Sequence, residues 1–325
     1  MMTHPIDRRL ALAFLGACAL PAFAQSSWPD KPIRLVLPFS AGGPGDITTR
    51  QIAQAVSLQL KQPIIVDNKP GAGGIIGSDL VAKSPPDGYT LLIAGNGAIA
   101  NALLRPKMPY AETDLVPVAS TTNAASVIVI NPASPIKNLK ELQAYARTRP
   151  GGVTFGTAGA GSTGHFVAEM IKSALGVPVT VVHYKSGSES VTAVIGGQID
   201  LASESPVAVQ GYLRSGKLRA LAVTDDKRLA SVPDVATTAE QGFAAIRMQH
   251  WGGIFAPRGT PPAVLDRIAA AWNAGFLADA KLRAEFESNG SYQTGSGTRA
   301  EFEQFLRIEK QRLGKIVADS KMTLE

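Results

Sequence analysis

Along this chain, short runs of β-branched and other apolar residues alternate with longer stretches whose apolar positions recur at helical spacing. The runs at 33–39, 63–66, 90–94, 126–130, 153–156, 179–183, 199–202 and 218–223 predict strands. The stretches at 46–60, 74–82, 139–147 and 162–175 predict helices. Such alternation is the signature of βαβ units and parallel sheets. It occurs twice, from 33 to 120 and from 126 to 224, each set about 100 residues long, a normal domain size. After 224 the pattern changes to one extended piece, 251–256, and two long helices, 262–277 and 299–320. That region is too poor in strands to stand alone and is expected to pack back on the first set. The chain then crosses twice between two lobes, which gives a hinge and a cleft. The expected division is 25–124 plus 225–325 for the first lobe and 125–224 for the second.

The first 24 residues read as a secretory leader and not as part of the fold. Arg8 and Arg9 precede an apolar run from Leu10 to Leu20, too short to span a bilayer. Ala22-Phe23-Ala24 then supplies a small-x-small cleavage site, so export to the periplasm is expected. Leu15-Gly16-Ala17-Cys18 offers a second reading, a lipid anchor on Cys18, and the Arg8-Arg9 pair leaves the export route open between Sec and twin-arginine. Cys18 is the chain's one cysteine, so neither a disulfide framework nor a cysteine zinc site can form.

Composition adds one informative number. The 325 residues are 45% hydrophobic, enough for a core, yet include 32 glycines without a collagen period. The glycines must therefore serve backbone geometry in a globular fold. The net charge of +6 comes without a Lys/Arg stripe, so nucleic acid is not an expected partner. His165, His183 and His250 include no i, i+4 pair, and neither a metal nor a cofactor is expected.

The glycines gather where strands turn into helices. After the first strand comes Ser40-Ala41-Gly42-Gly43-Pro44-Gly45-Asp46, and after the 153–156 strand comes Gly159-Ala160-Gly161-Ser162-Thr163-Gly164. A helix N-terminus presents free N–H groups and partial positive charge, and glycine lets a ligand approach the backbone. Two such termini facing each other across a cleft would suit a small carboxylate. The alternative is structural: Asp46 and Ser162 are ordinary helix caps and the glycines only make tight turns. A third loop, Tyr184-Lys185-Ser186-Gly187, could supply the Lys185 charge, and a fourth, Ser203-Glu204-Ser205, follows the strand ending near 202.

Two other chemistries fit the same residues less well. Gly159 to Gly164 matches G-x-G-x-x-G, but the next strand ends His183-Tyr184-Lys185, without the acid that a dinucleotide site wants there. Ala160-Gly161-Ser162-Thr163-Gly164 is similar to a nucleophile elbow, with Asp200 or Asp225 and His250 following in serine-hydrolase order. Spacing alone puts none of these side chains in contact.

With those residues in view, the chain from Trp28 onward resembles the Bug family, the TctC-type periplasmic solute-binding receptors of tripartite tricarboxylate transporters. The resemblance rests on Trp28-Pro29-Asp30-Lys31-Pro32, Leu37-Pro38-Phe39-Ser40-Ala41-Gly42-Gly43, Asn68-Lys69-Pro70-Gly71-Ala72-Gly73-Gly74, Pro86-Asp87-Gly88-Tyr89, Gly196-Gly197-Gln198-Ile199-Asp200 and Gly216-Lys217-Leu218-Arg219-Ala220. It implies a two-lobed α/β fold of the type II-like periplasmic-binding-protein kind. Each lobe would be a mostly parallel sheet flanked by helices, with the ligand cleft between them. It also implies a non-enzymatic monomer that closes on a small organic carboxylate and delivers it to membrane transporter subunits. The implied ligand residues are Ser40, Ala41, Gly42, Gly43 and Asp46 from one lobe and Gly161, Ser162 and Thr163 from the other, with Tyr184, Lys185 and Glu204 nearby. A sensory receptor for a signalling partner, or a secreted hydrolase using Ser162, are the alternatives. The chain departs from the family pattern at Pro44, at Gly95-Asn96-Gly97-Ala98, and at Ser203-Glu204-Ser205, where relatives usually carry Phe-Asp-Asn. A relative's ligand is therefore not to be copied.

Overall fold

The computed structural model describes residues 28–322 apart from 289 and 293–297. The leader, with Cys18, lies outside the described residues. Two sheets organise the fold. The first contains β1 (Ile33–Leu37), β2 (Ile64–Asn68), β3 (Thr90–Ala94), β4 (Leu115–Ala125), β10 (Gln249–Pro257) and β11 (Ser291–Tyr292), in the order β11-β4-β10-β3-β1-β2. The second contains β5 (Val127–Ile130), β6 (Val153–Thr157), β7 (Val179–His183), β8 (Leu201–Glu204) and β9 (Arg219–Val223), in the order β7-β6-β8-β5-β9.

Strand β1 is almost wholly apolar because both its faces are covered. Helices α1 (Pro44–Leu60) and α8 (Pro262–Ala278) cover one face with Ile52, Val56, Leu265, Ile268 and Trp272. They cross so closely that a side chain on Gly275 would lie 3.0 Å from Val56 Cα. Helices α2 (Ile75–Ala82) and α3 (Asn96–Leu104) cover the other face. In the second sheet, α4 (Leu139–Thr148) and α5 (Thr163–Leu175) pack on one face, and α6 (Gly187–Ile195) and α7 (Pro206–Arg214) on the other. After α9 (Ala280–Ser288), the C-terminal helix α10 (Arg299–Ser320) lies on β4, α3 and α5, and so spans both lobes.

The architecture is the expected two-lobed α/β fold, with one correction. The sheets are mixed and not mostly parallel: β1–β2, β1–β3, β6–β7 and β6–β8 are parallel, whereas β10 runs against β3 and β4, and β5 against β8 and β9. Returning chain segments supply these antiparallel strands. Strand β4 shows no strand pattern in sequence, because it mixes Pro117 with Ser120, Thr121, Thr122 and Asn123, and it is held by pairing with β10 and β11. Residues 225–248, expected with the first lobe, lean on the second. Thr237 bridges Val223, and Leu229, Val232 and Val235 join the apolar cluster under β5 and β9.

Topology decides which sheet edges meet. Because β10 is antiparallel to both neighbours, β4 runs with β3 and ends at the edge where the β1 and β3 loops emerge. The chain passes through Ser126 directly into β5, which starts at the edge where β6 and β8 end. The carboxyl edges of the two sheets therefore adjoin at the hinge, the placement in which open α/β sheets bind ligands. Ser126 is fully buried there: its N–H donates to Thr224 Oγ1 at 3.0 Å, and the Thr224 N–H donates to the Ser126 carbonyl at 2.9 Å.

Candidate functional site

The first glycine loop, 38–43, leads into α1 with Gly43 as its N-cap and no side chain capping it. Gly42 sits at φ +79°, a left-handed conformation that favours glycine. Asp46 fastens the loop from inside. It is 4% exposed and accepts from the Gly42 N–H at 3.0 Å, from Arg50 Nε at 3.0 Å and from Asn68 Nδ2 at 2.9 Å. Asn68 Nδ2 also donates to the Phe39 carbonyl at 3.0 Å. Arg50 foremost, with the Gly42 and Asn68 donors, holds the Asp46 carboxyl down at about 2. The carboxylate is thus turned onto the protein's own donors. Pro44 has no N–H, and the Asp46 N–H donates to the Gly43 carbonyl. Among the described residues, no partner stands against the Ala41, Gly43 and Gly45 N–H groups or the Ser40 hydroxyl.

The second loop, 158–162, opens α5. Ser162 is its N-cap, and its hydroxyl accepts from the His165 N–H at 3.4 Å. The Gly161 N–H donates to His165 Nδ1 at 3.1 Å, and the Ser162 N–H to the Gly159 carbonyl at 3.2 Å. Of the expected residues here, only Thr163 keeps its backbone N–H for a ligand, joined by Gly164. Removing the long cap bond in Ser162→Ala is expected to lower stability by about 0.5–1 kcal/mol and to leave affinity within a factor of two or so, read by thermal melting and calorimetric titration.

His165 and His183 lie edge to face beneath this loop, ring centroids 4.9 Å apart. His183 Nδ1 meets Thr157 Oγ1 at 2.7 Å. Burial above all, with His183 and Lys172 adding to it, drives His165 down to about 4, so it stays neutral and can accept from Gly161. A folded value below the unfolded one means that stability is full above pH 6.5 and lost as pH falls toward 4. At pH 5 the loss from His165 is about 2 kcal/mol. His165→Asn, which keeps an acceptor for Gly161, is expected to shrink the gap between the melting temperatures at pH 7 and pH 5.

The remaining expected residues divide. The Tyr184 ring packs on Gly156 and lines a groove of about 350 Å³ with Ser188, Thr192 and Gln198 beside α6. Lys185 is exposed, and its N–H donates to Glu189 Oε2 at 3.2 Å. Glu204 ends β8 at the cleft edge, and its carboxyl lies over Gly187, the first residue of α6. The hydrolase arrangement is not formed: His250 Nε2 meets Ser126 Oγ at 3.1 Å, and Asp200 takes Arg149 and Thr154. Among the described residues no group of three or more His, Cys, Asp and Glu is placed to hold a metal.

Asn96, which was not among the expected site residues, joins the lobes. It is 5% exposed in the first turn of α3 and donates to Thr163 Oγ1 at 2.9 Å and to the Gln249 carbonyl at 2.8 Å. Ala100 and Leu104 of the same helix pack against Gly161. Gly95-Asn96-Gly97 after β3 repeats the strand-glycine-helix pattern, the one signal that marked the loop in the sequence.

Solved structures place this geometry in a class. Periplasmic binding protein BugD superposes with a TM-score of 0.84 at 28% identity, covering 92% of this chain and 100% of that one. A protein of R. palustris solved with adipate gives 0.85 at 31% identity, covering 91% and 99%. MatC from Rhodopseudomonas palustris, with bound malate, gives 0.83 at 28% identity, covering 89% and 100%. The fold is therefore that of two-lobed solute-binding proteins. Residues 48–322 match the model of the TctC family, the tripartite tricarboxylate transporter family receptors, and the chain belongs to that family.

Proposed function

We propose that this protein is a periplasmic receptor that captures a small organic carboxylate between its lobes and delivers it to the membrane subunits of a tripartite transporter. The observation that carries the reading is the pair of strand-to-helix loops whose free N–H groups emerge at sheet edges adjoining one hinge. Relatives of the same fold hold adipate and malate, which supports a carboxylate as the ligand. One carboxylate would take the Ala41, Gly43 and Gly45 donors of the first loop and Thr163 of the second. Among the described residues, the binding lobes are 28–125 with 249–322, and 126–224 with the 225–248 return leaning on them. Asn96 and the Ser126–Thr224 crossing would hold the closed form, which a ligand stabilises by its differential affinity. The mature chain acts as a monomer, exported by its leader, and turns over nothing. Thermal melting across a carboxylate panel, run beside an esterase assay, tests this. A rise in melting temperature with selected carboxylates and no turnover is expected. No shift with any anion, or turnover that depends on Ser162, would overturn it.

A further inference from the structure

One edge of the first sheet is left bare. Strand β2 ends the order of that sheet, so only β1 stands beside it. The Ile33 N–H donates to the Pro63 carbonyl, and the Lys69 N–H to the Leu37 carbonyl. In a parallel pair this register turns the backbone of residues 63, 65, 67 and 69 toward β1 and that of Ile64, Val66 and Asn68 outward. Ser57 Oγ of α1 takes the Ile64 N–H at 3.0 Å. Among the described residues no strand meets the Val66 N–H and carbonyl. The other edges are dressed differently: β7 shows Thr180 and His183 to solvent, and Thr237 bridges Val223 outside β9. Ile65, 56% exposed, is the one large apolar side chain that a strand leaves in solvent among the described residues.

A groove of about 780 Å³ runs between this edge and α1. Arg50, Gln54, Leu58 and Lys61 recur at helical spacing along one side, and Pro63, Ile64 and Val66 form the other. Leu58 is 75% exposed. Ile47, exposed in the first turn of α1, carries the stripe back to the first glycine loop. The groove walls hold two cations and no acid. Arg50 reaches Asp46 and Asn68 through Nε and Nη2, and its Nη1 has no partner among the described residues. Lys61 is exposed at the C-cap of α1, and its ammonium meets no acid or other acceptor among the described residues. A bare strand edge takes an extended chain, exposed apolar side chains take apolar partners, and open cations take carboxylates.

Resting on the receptor reading above, we propose that this groove docks a membrane subunit of the transporter, through an extended acidic segment that adds as a strand beside β2. Side chains of an added strand fall alternately on the two faces of the sheet. Ile64 and Val66 face α1, so those on that face meet Leu58 and Lys61, and those on the other meet Ile65. A carboxylate on the α1 face pairs with Lys61, and Arg50 Nη1 is open to a second. Asp46 ties the two sites together, since it fixes Arg50 at the groove wall and Gly42 in the ligand loop. The partner therefore seats on the helix whose N-terminus forms that loop.

Biolayer interferometry tests it, with the mature protein offered to lipid nanodiscs that hold the membrane subunits and to empty nanodiscs of the same lipid. Leu58→Glu and Lys61→Glu are each expected to weaken binding at least roughly tenfold. Lys61→Arg, and Ile308→Glu on α10 over the other face of the sheet, should stay within a factor of about two. Leu58 and Lys61 stand in solvent, so the melting temperatures of their variants, and the rise with carboxylates, should match wild type. Hydrogen exchange over 64–68 should slow when the subunits bind, the mark of an added strand. Full binding by both glutamate variants, equal binding to empty nanodiscs, or unchanged exchange over 64–68 would overturn the docking site and leave the receptor reading standing. A wild type that binds neither nanodisc nor any carboxylate would overturn both.

Discussion

Asp46→Ala is expected to lower the melting temperature by roughly 6 °C and to abolish carboxylate binding, although the carboxylate touches no ligand in this account. The side chain fastens Gly42, Asn68 and Arg50 to one another. Its removal leaves the Gly42 N–H and one of the two Asn68 amide protons without their protein partner, a loss of about 2 kcal/mol in all. Most of the Arg50 ion pair is discounted, since that side chain is half exposed. The loop that carries the Ala41, Gly43 and Gly45 donors then loses the bond that fastens Gly42 from inside and keeps only the Asn68–Phe39 bond and the backbone bonds to the Gly43 carbonyl. Asp46→Asn, which keeps an acceptor for Gly42, should fall between the two. The folded Asp46 value, about 2, lies below the unfolded 3.8, so its contribution is present above pH 3.8 and lost as pH falls through 2. The difference in stability between wild type and Asp46→Asn should therefore narrow in that window. Full affinity in Asp46→Ala would show that the first loop does not bind.

Glu204→Gln should have the opposite effect on the ligand-free protein. Its folded value, about 7, lies above the unfolded 4.5. Its contribution is therefore fully present below pH 4.5 and lost as pH rises through 7. Above that, the ionised carboxylate carries an uncompensated cost of burial, about 2–3 kcal/mol. The glutamine variant avoids that cost, so its melting temperature should exceed wild type by roughly 5 °C at pH 8 and match it near pH 5. Over the same range His165 acts with the opposite sign, so wild type alone shows a flattened pH profile and the variant exposes the histidine contribution. A variant less stable than wild type at pH 8 would mean that the carboxylate has a cationic partner.

The sequence made the frame of the molecule readable where local pattern decides structure. Strands β3 and β7 match their predicted bounds because each is a compact run of apolar and β-branched residues closed off by glycine, tyrosine or proline neighbours. The two glycine loops were readable because glycine clustered between a strand and a helix has few other uses. What stayed hidden depends on partners far away in the chain. Ser126 and Thr224 meet across 98 residues, Asn96 and Thr163 across 67, and Asn96 and Gln249 across 153. The position of Asp46 in its loop is visible in the sequence, whereas Asn68, which helps to turn its carboxylate inward, stands 22 residues on. The mixed direction of the sheets has the same origin: β10 reaches its place between β3 and β4 only after the whole second lobe has been traversed. Local spacing predicts that a loop is built to offer N–H groups; which of them remain on offer is settled by tertiary contacts.

A crystal structure of the protein with its bound carboxylate would show whether the ligand is gripped between the two backbone loops. Carboxylate oxygens are expected within about 3 Å of N–H groups from Ala41, Gly43 or Gly45 on one side and of the Thr163 N–H on the other. Asp46 should still face Arg50 and Asn68. A carboxylate held elsewhere, or paired directly with an arginine while both glycine loops stay empty, would contradict it.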